Sequence, residues 1–192
     1  RLVHLRGLVP GNDPRADRSG RTRHPRYLAG LEGKCYCWSL DSGWNGPFSF
    51  GRDLGVVDSV SLIQGNFGLP GQPNLELVAR AGQSLFHFWH VPGGPPDNWG
   101  PPTPVTLEGV TGNPALLQGT YGIKGHFELV APRVGGGLSY FRRDNDPGAN
   151  LAWHGPFDFA TDVGPVDSVC LLQSNYGPPG AGQLEAVAQI GN

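Results

Sequence analysis

Residues 54–76 read LGVVDSVSLIQGNFGLPGQPNLE, and residues 163–185 read VGPVDSVCLLQSNYGPPGAGQLE. The two stretches align at an offset of 109 without a gap and are identical at 13 of 23 positions. Between them, residues 109–128 read GVTGNPALLQGTYGIKGHFE. Gln64, Gln118 and Gln173 are spaced 54 and 55 apart, Trp44, Trp99 and Trp153 are spaced 55 and 54, and Glu76, Glu128 and Glu185 are spaced 52 and 57. Self-similarity at such a period marks a repeat architecture. The unit is about 54 residues long and comes in two alternating types.

Each unit holds four short strand-like stretches. In the best preserved unit the pattern predicts strands over Ser59–Asn66, Leu75–Ala81, Ser84–His90 and a stretch after Trp99. Gly or Pro punctuates every junction. Four strands with tight turns, repeated at this spacing, are the signature of a β-propeller blade. Along Ser84–His90, Leu85, His87 and Trp89 point to one face and Phe86, Phe88 and His90 to the other. Blades pack on both faces, so both faces are expected to be largely apolar.

The phasing gives a half blade at 28–53, full blades at 54–106 and 107–161, and a half blade at 162–192. That is about three blade equivalents, whereas propellers close with four to eight. The fold class expected is therefore all-β, either part of a longer propeller or half of a six-bladed dimer. Closure then needs a homo-oligomer or additional blades, and residues 28–50 would pair with Val166–Ala188 of a second copy. Tyr36, Trp38, Trp44 and Phe48 would line that seam.

Composition agrees with an all-β fold. The 31 Gly and 19 Pro make about 26% of the chain, a density common in disorder. Disorder, however, needs few aromatics and high net charge. This chain has five Trp, nine Phe and a net charge of −2. No run of 18 apolar residues is present, so no membrane-spanning helix is expected. Residues 1–27 carry seven Arg against Asp13 and Asp17, net +5, and read as a basic flexible arm or linker. The rest is at −7, which argues against nucleic acid as a partner. The chain begins at Arg1 and contains no Met, which reads as processing or a fragment. Cys35, Cys37 and Cys170 lack finger-like spacing and read as small buried hydrophobes.

The strings LIQGNFG (62–68), NLELVAR (74–80) and LFHFWH (85–90), followed by W-x-G-P pieces at Trp44 and Trp153, resemble bacterial β-propeller repeat proteins of the lectin-like kind. That family comprises sugar-binding propellers. The resemblance implies glycan bound in pockets between blades, no catalysis, no cofactor, and action as a secreted or cell-surface protein. The other function kept open is a protein-interaction or structural module of a larger extracellular or toxin-like protein.

Glu76 and Arg80 lie on one face of a predicted strand, and the Glu recurs as Glu128 and Glu185. A recurring carboxylate on a half-buried strand needs partners. It serves either as a fixed hydrogen bond between blades or as an acceptor for sugar hydroxyls. His87, Trp89 and His90 in one unit correspond to Tyr140, Arg142 and Arg143 in the next. Polar and aromatic variation on a constant frame suits a ligand-facing rim as well as plain surface. The candidate ligand set is thus Glu76, Arg80, His87, Trp89, Glu128, Tyr140, Arg142 and Glu185. The Gln at 64, 118 and 173 suits bracing of neighbouring backbone. Asp144-Asn145-Asp146-Pro147-Gly148 lacks the closing Glu of a calcium loop and reads as an Asx-turn. His87 and His90 with His126 or His154 do not make a metal site by spacing, and none is expected. Catalytic motifs are absent: no G-x-S-x-G occurs, and a Glu repeated once per blade suits repeated equivalent roles.

Overall fold

The computed structural model describes residues 35–40, 44–69, 71–176 and 182–191. The expected arm at 1–27, the start of the first half unit, and the side chains of Tyr36, Cys37, Trp38 and Trp44 lie outside the described residues. Among the described residues the chain is all-β, with one 3-10 turn at Arg52–Leu54 and no α-helix.

Four antiparallel sheets follow one another along the chain. The first is β1 (Cys35–Leu40) with β2 (Trp44–Phe50). The second is β3 (Ser59–Leu69), β4 (Gln72–Ala81), β5 (Ser84–His90) and β6 (Thr103–Thr106), in that order. The third is β7 (Ala115–Gln118), β8 (Phe127–Pro132), β9 (Leu138–Arg143) and β10 (Trp153–Phe159). The fourth is β11 (Val166–Gln173) with β12 (Leu184–Ile190). The leading strands β3, β7 and β11 are neighbours, so successive sheets stack with their first strands together.

Side-chain alternation builds the interfaces. On one face of β5, Phe88 meets Cys35 and Phe50 of the first sheet. On the other, Leu85 joins Phe127, Leu129 and Phe141 of the third. Val130 and Leu138 then meet Val166 and Val169 of the fourth sheet. Each such side chain, fully buried, contributes roughly 1.5–3 kcal/mol. Phe50 also stacks on Trp99, 4.4 Å between centroids and nearly coplanar.

Two glycines are required by close approach. Gly112 has φ +59, and a Cβ there would sit 2.5 Å from the Asp167 carbonyl and 2.6 Å from Pro132 Cγ. Gly100 lies flat against the Trp89 indole, where a Cβ would enter the ring.

Among the described residues the covering stops at the fourth sheet. Val78 of β4 and Val130 of β8 are 0% and 3% exposed, while Val187, the matching residue of β12, is 72% exposed. Leu172, Tyr176 and Ile190 are exposed with it. Cys170 is exposed as well, unlike the buried Cys35, because its face of β11 has nothing over it among the described residues.

Candidate functional site

The second and third sheets close on a buried polar network. His87 Nε2 lies 2.8 Å from Glu76 Oε2, and both residues are 1% exposed. Glu76 sits on β4 opposite Trp89, and His87 on β5 opposite Val78, so the two side chains meet diagonally on one face. Arg143 of β9 reaches across, its Nη1 3.4 Å from His87 Nδ1. Its guanidinium lies 4.2 Å above the Phe127 ring, and its Nε donates to Asn145 Oδ1 at 2.9 Å. Burial lowers the His87 pKa, and the neighbouring Arg143 charge adds to that against the pull of Glu76. The neutral ring therefore donates from Nε2–H to Glu76 and accepts at Nδ1 from Arg143. Burial brings Arg143 down to about 10, so it stays charged at neutral pH.

One repeat later the same frame carries a different set. Tyr140 takes the place of His87, and its hydroxyl donates to Glu128 Oε2 at 2.5 Å. Glu128 Oε1 is buried without a hydrogen-bond partner. Burial pushes the Glu128 carboxyl up, only partly offset by the Tyr140 hydrogen bond. Burial and the hydrogen bond to Glu128 likewise raise the Tyr140 phenol. Arg142, two residues on and so on the same face, is exposed. Phe157, paired with Tyr140 across β9–β10, is 54% exposed with its ring 6.0 Å from the Tyr140 ring. The fourth sheet lies mainly over β7 and β8 and reaches β9 at Leu138 and the inner side of Tyr140, which leaves Arg142 and Phe157 open.

The remaining expected residues separate from these two groups. Arg80 does not join Glu76. It pairs with Asp58 at 3.1 Å and donates to the Gly82 carbonyl. Four residues along a strand is roughly 13 Å, too far for both side chains to hold one sugar hydroxyl. Trp89 is half-buried beside His87, with ring centroids 6.3 Å apart. Glu185 is exposed and meets Ser174 Oγ at 3.4 Å.

Arg143 and Asn145 were missed as partners of Glu76 and His87. Strand parity carried the signal: Arg143 is one residue from Arg142 and so points to the opposite face, toward the second sheet.

Of the three expected braces, Gln118 and Gln173 act as such, while Gln64 is exposed. Gln118 Oε1 accepts the Asn66 amide N–H of the preceding sheet at 2.7 Å, and its Nε2 donates to Asn66 Oδ1 at 2.7 Å. Gln173 repeats this with the Thr120 amide at 2.7 Å. The Asp144 loop closes as an Asx-turn, Asp146 N–H to Asp144 Oδ1 at 2.9 Å. His126 gathers with Asp144 and Asp146 rather than with another histidine, its Nε2 3.2 Å from Asp144 Oδ1. A cavity of about 100 Å³ between the third sheet and the 108–110 connection is lined by Arg133, Ser139 and Asp158. It is well below the roughly 300 Å³ of a small-molecule site. Arg133 and Asp158 already pair there at 3.2 Å.

No protein-family model and no curated protein matches the chain. Among solved structures, the crystal structure of the BP39L lectin from Burkholderia pseudomallei is similar over 78% of this chain, at 21% sequence identity and a TM-score of 0.51. The chain spans 44% of the length of that lectin chain. In its all-β arrangement of antiparallel sheets, this chain shares the fold of a bacterial lectin.

Proposed function

We propose that this chain is a non-catalytic, carbohydrate-binding part of a lectin-like β-propeller, secreted or at the cell surface, taking glycan in the clefts between blades. The observation that carries this reading is the likeness to a lectin structure over 78% of the chain. Fold alone does not assign function, so the cleft chemistry has to support it.

The corner at Tyr140 does so. Glu128 is sealed and holds the Tyr140 hydroxyl proton, which leaves the phenolic oxygen free to accept from a sugar hydroxyl. The exposed Arg142 donates to a second hydroxyl. Phe157 and the Tyr140 ring offer the apolar surface that a pyranose face needs. Glu128 is then a positioning residue, and Tyr140 and Arg142 are the contacts. Glu76 and His87, fully buried, hold sheets together in this reading.

A glycan array competed by free monosaccharide tests the function. A folded protein with a flat array sinks it. Arg142→Ala is expected to weaken the best array hit on the order of 10-fold or more, from loss of a charged hydrogen bond. Unchanged binding by Arg142→Ala and Tyr140→Phe together would move the site elsewhere.

A further inference from the structure

We propose that His126, Asp144 and Asp146 bind a divalent transition-metal ion of the zinc class, which ties the β7–β8 loop to the loop after β9. The proposal goes beyond sugar binding and does not depend on it.

All three residues belong to the four-stranded third sheet and its loops. One ligand atom from each lies within 4.8 Å of the others. His126 Nε2 is 3.2 Å from Asp144 Oδ1 and 4.0 Å from Asp146 Oδ2. Two ligands of one tetrahedral zinc ion stand about 3.3 Å apart, from metal bonds of about 2.0–2.1 Å. The Asp144 oxygen is already at that spacing, and the Asp146 oxygen has to close by roughly half an ångström.

The imidazole lacks any other use. Both of its ring nitrogens are sealed from solvent, and neither makes a hydrogen bond. Asp144 Oδ1, although near, is not in line to accept from Nε2. A buried ring nitrogen without a partner calls for one. The carboxylates, by contrast, are held in place by backbone. Asp146 Oδ1 accepts from the Ile123 and Lys124 N–H groups at 2.6 and 2.8 Å, and Asp144 Oδ1 from the Asp146 N–H at 2.9 Å. Such bonds orient metal ligands. Among the described residues neither carboxylate is paired with a lysine or arginine. Both are partly exposed, so an ion can enter from their side and keep water in its remaining positions. Gly122 leaves the space clear: a Cβ there would lie 2.5 Å from His126 Nε2 and 2.7 Å from both Asp146 oxygens.

The repeat itself does not require the cluster. Aligned on Glu76, Glu128 and Glu185, the place of His126 is held by Asn74 in the second sheet and Gln183 in the fourth. After β5, the places of Asp144 and Asp146 are held by Val91 and Gly93. The second sheet forms all four of its strands without a ligand set there. One imidazole with two carboxylates suits a borderline ion such as zinc. Calcium takes about six to eight oxygens and gains nothing from the imidazole.

The experiment is isothermal titration calorimetry of the full chain with zinc chloride, with calcium chloride in parallel, and thermal unfolding with and without each salt. Zinc is expected to bind and to raise the melting temperature, and calcium to do neither. His126→Asn, which installs the residue of the second sheet, is expected to weaken that zinc binding on the order of 100-fold or more. Asp144→Asn is the second variant, with the same expectation, and decides the matter should the first fail to fold. His154→Gln, an exposed histidine outside the cluster, is expected to leave the binding unchanged. No zinc binding by the wild type overturns the proposal. So does zinc binding of wild-type strength in either folded variant, or calcium binding as tight as zinc.

Discussion

His87 and Glu76 share a hydrogen bond of 2.8 Å in a place where neither shows more than 1% of its surface. The imidazole must be neutral to accept from Arg143 on its far side. That fixes the direction of its pH response. The unfolded chain protonates His87 near its ordinary value of 6.5, while the folded chain does so only at lower pH. Below about 6.5 the unfolded state binds more protons, so His87 costs stability as pH falls toward its lowered folded value.

Thermal unfolding at pH 7.5 and 5.5 is therefore expected to show a lower melting temperature at the acid point. His87→Gln, which can still donate to Glu76, removes the imidazole from the balance and should flatten that limb. An acid limb equally steep in the variant would assign the sensitivity elsewhere.

Glu128 works in the opposite sense. Its folded pKa is raised above 4.5, so the folded state holds the proton to higher pH than the unfolded state does. Its contribution is present at low pH and is lost as pH rises through the raised value. Glu128→Gln keeps an acceptor for the Tyr140 hydroxyl and removes the charge. The variant is expected to gain stability relative to wild type as pH rises from 4.5 to 7.5, measured by chemical denaturation at both points. A difference between the two proteins that does not change with pH contradicts this.

Gln118→Ala should separate brace from decoration. It leaves the Asn66 amide and the Lys124 and Gly125 carbonyls without their amide partner, a cost of about 1–3 kcal/mol. The exposed Gln64, at the same repeat position, should cost within about 0.5 kcal/mol when changed to Ala. Urea midpoints of the two variants test the contrast, and equal losses would remove it.

Gly112→Ala is the steric counterpart. A methyl group would press on the Asp167 carbonyl and the Pro132 ring from a left-handed backbone position. The expected loss is about 1–3 kcal/mol. Gly164→Ala, which also has positive φ but nothing within 4 Å, isolates the backbone share of that cost. Similar losses in both would mean that the contact itself costs nothing.

Much of the architecture was legible because it rests on short periods. The 54-residue repeat and two-residue alternation placed Leu85 and Phe88 on opposite faces, and the structure packs them against different sheets. The Ser84–His90 strand has the ends the pattern predicts, while β3 runs three residues further, to Leu69, through a bulge. Partnership was harder to read. That Arg80 answers Asp58 rather than Glu76 depends on the β3–β4 pairing, which no spacing within β4 reports. That Arg143 rather than Arg142 reaches His87 depends on which sheet lies on which side. The unlike burial of Glu76, Glu128 and Glu185, which have the same repeat position, comes from what lies over each one.

The amide of Gln118 recognises the preceding repeat through a main-chain N–H, and Gln173 does the same to the next. The main-chain part of this grip is blind to the side chains of the repeat it holds, although Gln118 adds one bond to the Asn66 side chain. As far as this contact goes, a repeat that carries the glutamine can follow any other that presents an amide at the corresponding turn. Duplication or loss of a whole repeat in the gene then leaves this part of each junction chemically intact. Copy number can drift over evolutionary time while the side chains around His87 and Tyr140 diversify independently.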